Sequence, residues 1–395
     1  MFNIEYLQND LIYVGASDRR LACFEGVYSV PDGVSYNSYV LLDEKTVVFD
    51  TVDKAVSKTY FENLAAVFGE RKPDYLIISH MEPDHSATVD EFMLRYPETE
   101  IICSFGAKIM IDNYFSENRF KITVVKEGDE LNVGKRTLKF FAAPMVHWPE
   151  VMVTYSALDK TLFSADAFGS FGAISGSVKD SSTDFEKYVS EARRYYANIC
   201  GKYGAQVISL LSKLDGVDVK RICPLHGEVI EKNLGEFIAA YKKWGGYEPE
   251  SDGVLIIYAS VYGNTANACD IVSSFIEKEG LKTVTYDVSV TPQSTIVAET
   301  FKYKNVVVAA TTYNGGIFIK MEETLNDIVN HCVKNRRFAV IENGSWAPQS
   351  GKLIREKLSL LKDCEIVGET VTIRSSVKQT DVKNLENLAK AISLK

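Results

Sequence analysis

Four of the five histidines in this 395-residue chain stand at or just past the end of a short apolar run. His80 and His85 follow Tyr75–Ile78, His147 follows the run closing in Ala142-Ala143-Pro144-Met145-Val146, and His226 follows Arg221–Leu225. Asp166 has the same place after Leu162–Ala165. Such a chain must fold so that those strand ends converge, because a rigid scaffold then presents the side chains into one cleft. The densest stretch is His80-Met81-Glu82-Pro83-Asp84-His85, with a proline stiffening the turn. Imidazoles and carboxylates crowded this closely repel one another unless a cation lies among them. Four imidazoles and three carboxylates, with no thiolate, suit a harder, redox-capable ion at least as well as zinc. Seven ligands are too many for one ion and too few to saturate two octahedral ones. Two metals sharing a bridging carboxylate, with open positions for an outside ligand, fit that arithmetic.

The length exceeds one ordinary domain. The clearest boundary is Trp244–Gly253, rich in Gly, Pro and acidic residues, which reads as a linker where few contacts cross. Before it, β-type runs (Thr46–Phe49, Tyr75–Ile78, Thr137–Phe141, Val151–Tyr155, Thr161–Phe163) alternate with helical patterns near 54–69, 86–95 and 183–200, as in stacked sheets flanked by helices. After it, strands at Val254–Ala259, Thr283–Val288, Asn305–Ala310, Phe338–Ile341 and Glu365–Ile373 alternate with helices at 265–279, 321–335, 350–361 and from about 381. That is the pattern of a doubly wound parallel sheet. Forty-four basic against 53 acidic residues give a net charge of −9, so no nucleic-acid surface is expected. No apolar stretch approaches the ~20 residues of a spanning helix. The amino terminus lacks the basic start and apolar core of a secretory signal. Seven cysteines without a Cys-x-x-Cys pair argue against a disulfide framework, a zinc ribbon and a rubredoxin-type iron site. The chain reads as cytoplasmic, with no membrane attachment.

Ser260-Val261-Tyr262-Gly263-Asn264-Thr265 joins the first strand after the linker to a helix. Its small, hydroxyl-rich residues can wrap a phosphate at a helix amino terminus, or form a plain turn capped by Asn264 or Thr265. In a sheet of order 2-1-3-4-5, ligands bind at the carboxyl ends of the strands around the switch point. There lie Thr312-Tyr313-Asn314-Gly315-Gly316 and Asn343-Gly344-Ser345-Trp346, with glycines and aromatics suited to a flat ring. The loop departs from Gly-x-Gly-x-x-Gly, which disfavours NAD.

His80-x-Glu82-x-Asp84-His85, His147, Asp166 and His226 resemble the metal pattern of the metallo-β-lactamase superfold, with Glu82 where hydrolytic zinc members carry histidine. That variant, with His147-Trp148-Pro149-Glu150 and Ser164-Ala165-Asp166-Ala167-Phe168, is similar to the flavodiiron proteins (A-type flavoproteins), and residues 260–265 resemble the first loop of flavodoxin. The resemblance covers essentially the whole chain. It implies an α/β protein: a metallo-β-lactamase-like αββα sandwich over residues 1–248, followed by a flavodoxin-like doubly wound five-stranded parallel sheet over 253–395. His80, Glu82 and His147 would bind one iron, and Asp84, His85 and His226 the other, with Asp166 between. FMN would take its phosphate at residues 260–265 and its isoalloxazine between Tyr313–Gly316 and Gly344–Trp346. An external donor, rubredoxin or another reduced carrier, would feed reduction of dioxygen to water, nitric oxide to nitrous oxide, or both. Tyr195 resembles a family tyrosine that hydrogen-bonds bound oxygen, though it can equally pack on a helix face. A head-to-tail homodimer, or a dimer of such dimers, is implied. The rival readings are a zinc hydrolase of the lactamase or glyoxalase type with an appended flavodoxin domain, and an electron-transfer flavoprotein with a purely structural first domain.

Overall fold

A computed structural model of the protein describes residues 3–115, 120–180 and 184–394. Contacts gather these into two compact units, residues 1–196 with 203–242, and 197–202 with 243–395.

The first unit holds two sheets. One runs, edge to edge, Glu5–Gln8, Leu11–Tyr13, Tyr39–Leu42, Thr46–Phe49, Tyr75–Ile78, Glu100–Ser104 and Lys121–Val125. The other runs Glu130–Asn132, Thr137–Ala142, Met152–Ser156, Thr161–Phe163 and Arg221–Cys223. Their inner faces meet in a core of Leu11, Tyr13, Phe49, Ile77, Ile102, Leu138, Phe140 and Phe163. Phe49 of one sheet stacks on Phe163 of the other with ring centroids 3.6 Å apart. Helices complete an αββα sandwich; Ser57–Phe68 buries Tyr60, Leu64 and Phe68, and Gly204–Lys213 buries Val207 and Leu210. In the second sheet, Thr137–Ala142 and Thr161–Phe163 each pair antiparallel with Met152–Ser156, and Arg221–Cys223 pairs parallel with Thr161–Phe163. Those three strands therefore end on one edge, and His147, Asp166 and His226 follow their ends.

The second unit is a parallel sheet in the order Thr283–Asp287, Ser251–Ala259, Tyr303–Tyr313, Arg337–Asn343, Glu365–Ile366. Its central strands are buried on both faces, which is why they read as near-continuous runs such as Val254–Ile257 and Val306–Ala310. Helices Asn264–Lys278, Gln293–Lys302, Ile319–Asn330, Ser350–Leu358 and Gln379–Ser393 complete the winding.

Local details depart from expectation in several places. The last strand is split into Glu365–Ile366 and Val371–Ile373, with Gly368 at φ +66 between them. The pattern over 86–95 is two helices, Pro83–Ser86 and Val89–Arg95, parted where the Thr88 hydroxyl donates to the Val52 carbonyl at 2.8 Å. The helix expected over 321–335 is Ile319–Asn330. Gln293–Lys302 was not foreseen: it buries Ser294 and every residue from Ile296 to Phe301, so no polar stripe marks it as helical. The Gly/Pro-rich stretch after Trp244 is also firmly held. Trp244 is buried and donates to Glu250 at 2.8 Å, while the Tyr247 hydroxyl donates to the Gly201 carbonyl at 2.8 Å.

Candidate functional site

Pro83 opens a short helix, Pro83–Ser86, which turns Asp84 and His85 inward directly after Tyr75–Ile78. The Asp50 carboxylate accepts the backbone N–H of Ser79 at 2.7 Å and of His80 at 3.2 Å, pinning the start of this loop. Burial pushes the Asp50 carboxyl up to about 6, against those hydrogen bonds. The seven ligand-type residues come together in two groups, His80, Glu82, His147 and Asp166, and Asp84, His85 and His226.

Asp166 faces both. Its Oδ2 lies 3.2 Å from His147 Nε2 and 3.6 Å from His80 Nε2, and its Oδ1 lies 3.2 Å from His85 Nε2 and 4.0 Å from His226 Nε2. Glu82 Oε2 sits 3.2 Å from His80 Nε2 and 3.1 Å from His147 Nε2. Asp84 Oδ2 sits 3.4 Å from His85 Nε2 and 3.2 Å from His226 Nε2. The His85 and His226 Nε2 atoms are only 2.9 Å apart. Since His226 Nδ1 donates to the Ser35 carbonyl at 2.7 Å, the neutral ring presents a lone pair at Nε2. Such a pair of nitrogens needs a proton or a cation between them.

The electrostatics say the same. Burial alone would lower His147, but hydrogen bonds to Asp166 and Glu82 push it up to about 9. Burial likewise opposes the charged forms of His80 and His85, and carboxylates, Asp166 foremost for His80 and Asp84 for His85, raise both. Asp166, which burial would raise, is held well below the usual carboxylate range by His80 and His85. Both oxygens of Asp84, Asp166 Oδ1 and His85 Nδ1 are buried with no hydrogen-bond partner. Buried polar atoms left this way are costly, and a cation pair would satisfy them. The donor set therefore fits two metal ions.

Aromatic rings wall the cluster. Trp148 packs edge-on against His80 at 5.3 Å, and Phe24, Tyr36 and Tyr195 lie 5.5, 5.8 and 5.4 Å from His226. Tyr195 is thus beside the cluster, and its ring fills the space a side chain at Gly169 would need. One participant escaped sequence reasoning as an individual residue. Glu150 Oε1 lies 2.8 Å from His80 Nδ1 and accepts the Met81 N–H at 2.9 Å.

At the carboxyl edge of the parallel sheet lies a cleft of about 630 Å³. Of the residues expected there, Ser260, Val261, Tyr262, Asn264, Thr265, Thr312, Tyr313, Asn314, Gly315, Asn343, Gly344, Ser345 and Trp346 line it. Gly263 and Gly316 do not. Gly263 instead turns the loop at φ +87 and forms the N-cap of Asn264–Lys278, where the alternative plain-turn reading had Asn264 or Thr265. Gly316 pairs back on Tyr313. Thr311, Ala347, Gln349 and Ser375 complete the lining, and no motif announced them.

Two helices begin at this cleft, and they differ. At Ser350–Leu358, Thr312 Oγ1 accepts the N–H of Gln349 at 2.9 Å and Ser350 at 3.1 Å, and Glu342 accepts that of Gly351 at 2.8 Å. At Asn264–Lys278 the N-cap is Gly263, which has no side chain to offer, and the Ser260 hydroxyl accepts its N–H at 3.1 Å. The amino terminus that suits an anion is therefore this one, where the backbone N–H groups of Asn264 and Thr265 and the helix dipole favour phosphate. Tyr262 and Trp346 are 92% and 82% exposed, leaving flat faces to cover a ring.

A family model described as "ODP family beta lactamase" matches residues 34–227. An anaerobic nitric oxide reductase flavorubredoxin of Aeromonas hydrophila is 30% identical over 359 residues, covering 89% of this chain and 72% of the relative. The structure of the rubredoxin oxygen:oxidoreductase of Desulfovibrio gigas is similar with a TM-score of 0.94 at 27% identity, over 99% of this chain and 98% of that one. The flavodiiron protein of Giardia intestinalis shares the fold, with a TM-score of 0.94 at 23% identity over 100% of this chain and 96% of that one.

Proposed function

The chain belongs to the flavodiiron family and is an oxidoreductase, and from that premise we propose that it passes electrons from an external reduced carrier through FMN to two irons, where dioxygen or nitric oxide is reduced. The observation that carries the reading is the division of Asp166, one oxygen toward each ligand group. The named activities of the Aeromonas and Desulfovibrio relatives support reduction of nitric oxide and of dioxygen respectively. A rubredoxin-like donor is the carrier their names favour, and a head-to-tail homodimer is proposed with it. A zinc hydrolase with a flavin appendage is not favoured, since these relatives are reductases and Glu82 supplies a carboxylate where hydrolases use imidazole.

Bound at these residues, two iron ions and a flavin supply the electrons and the coordination positions for a diatomic. His80, Glu82 and His147 would hold one ion, Asp84, His85 and His226 the other, and Asp166 would bridge. Trp148, Phe24 and Tyr36 exclude bulk water and fix the imidazole planes. Tyr195, beside His226, is proposed to line the space where substrate is held. At the cleft, residues 260–265 would hold the FMN phosphate and Tyr313 and Trp346 would flank the ring. Among the described residues no helix is long and apolar enough to cross a membrane.

Anaerobic purification is expected to yield about two irons and about one FMN per chain, with turnover of dioxygen or nitric oxide under one shared electron donor. Stoichiometric zinc with turnover intact would overturn the reading.

A further inference from the structure

The two ligand groups are matched in what faces the centre and unmatched in what stands behind it. Each has its own carboxylate, Glu82 or Asp84, and Asp166 turns one oxygen toward each. Behind His226 is a neutral acceptor, the Ser35 carbonyl at 2.7 Å from Nδ1. Behind His85 no described residue accepts a hydrogen bond from the buried Nδ1, and the buried Asp50 carboxylate acts on the ring through space only. Behind His80 stands the Glu150 carboxylate, 2.8 Å from Nδ1, with both side chains wholly buried. Glu150 Oε1 takes the Met81 N–H as well, and Oε2 is buried with no partner. Among the described residues its carboxylate is ion-paired with the His80 ring and with no lysine or arginine.

We infer that Glu150 is a positioning residue that makes the two metal positions unequal, favouring the oxidised ion in the pocket of His80, Glu82 and His147. The inference rests on the two-iron reading above. A hydrogen bond to an ionised acceptor is shorter and about twice as strong as one to a neutral carbonyl, and it raises the basicity of the ligating nitrogen. A more basic His80 stabilises the ion of higher charge. Water does not screen the effect, since neither side chain is exposed. In the pocket of Asp84, His85 and His226 no described carboxylate is hydrogen-bonded behind an imidazole, so the anion that acts there, Asp50, does so without that bond.

Glu150→Gln separates charge from geometry. The Met81 N–H can only donate, so it keeps the amide oxygen of the new side chain where Oε1 now lies, and His80 retains its acceptor. The probe is iron itself: protein reconstituted with ferrous ion and followed through two one-electron steps in a spectroelectrochemical titration. The substitution is expected to leave iron and FMN content intact and to move one midpoint upward. A tenfold loss of preference for the oxidised ion, at the lower end of the roughly 10- to 100-fold effects of such partners, corresponds to about 59 mV. The second midpoint stays in place. Two unmoved midpoints, or two that move together, overturn the inference while leaving the two-iron reading untouched. Failure of the unmodified protein to hold two irons defeats that reading, and this inference with it. If Glu150→Gln does not fold, Gly106→Ala decides. A Cβ there would lie 2.9 Å from Glu150 Cβ and 3.2 Å from its Cα, pressing the carboxylate out of line with every charge retained. It is expected to raise the same midpoint, and an unchanged one overturns the inference.

Discussion

Asp166 is the residue on which the proposed centre turns, because neither ligand group is closed without one of its oxygens. Asp166→Ala is expected to release iron and abolish turnover while FMN stays bound; metal analysis and the flavin spectrum check both, and retention of both irons contradicts the bridging role. At the cleft, Thr265→Ala removes one hydroxyl proposed at the phosphate. Loss of a hydrogen bond to a charged group costs about 1.5–3 kcal/mol, or roughly ten- to a hundred-fold in FMN affinity, readable by flavin fluorescence. The seven proposed ligands were legible in the sequence because ligation demands particular side-chain types, and the strands end where those types stand. Glu150 and Ser35 were not legible as partners. Each acts through one hydrogen bond to a residue 70 and 191 positions away, a pairing that only the packed sandwich creates.

At the scale of elements, the helix Ser350–Leu358 owes its first turn to Thr312 and Glu342. Replacing Glu342 by Ala is expected to lower stability by about 1 kcal/mol through the lost cap and to slacken the loop that carries Trp346. Thermal melting with and without FMN separates the two effects. His331 caps the helix Ile319–Asn330 at its carboxyl end, with Nδ1 2.8 Å from the Asp327 carbonyl and Nε2 3.0 Å from that of Asn198. Both nitrogens face carbonyl acceptors, so both hydrogen bonds are made only by the protonated ring. Burial opposes that charge, but the hydrogen bond and charge of Asp327 with both carbonyls raise the ring above its ordinary value. A raised folded value means the contribution is complete below about pH 6.5 and is lost as pH rises through the folded value. Stability of His331→Gln should therefore converge on that of the unmodified protein at alkaline pH and fall below it at pH 6; a pH-independent difference refutes the assignment. The parallel sheet was legible because its strands are buried on both faces. Gln293–Lys302 was not, since a helix buried nearly all round carries no periodicity to read.

For the whole molecule, we propose that electrons cross between chains, from the flavin of one protomer to the irons of its partner. A protein lacking iron through Asp166→Ala and one unable to hold FMN through changes at Asn264 and Thr265 should each be inactive alone. Mixed dimers should regain up to about half of the activity, because one of two symmetric paths survives. A mixed dimer with correct iron and FMN content that stays inactive refutes the arrangement. The unit built on the parallel sheet is also not one continuous stretch of chain, for it includes residues 197–202. The Gly201 carbonyl accepts from Tyr247, the Asn198 carbonyl from His331, and the Asn198 amide donates to the Ser294 carbonyl at 3.0 Å. Arg336, buried, donates to the Tyr247 carbonyl at 2.8 Å. Modularity along the sequence is thus not severability in space. A gene fragment beginning at Gly253 would encode every strand of the parallel sheet except its first two residues, yet strip partners from Ser294, His331 and Arg336. Moving the parallel-sheet unit into another gene would require residues 197–202 to travel with 243–395.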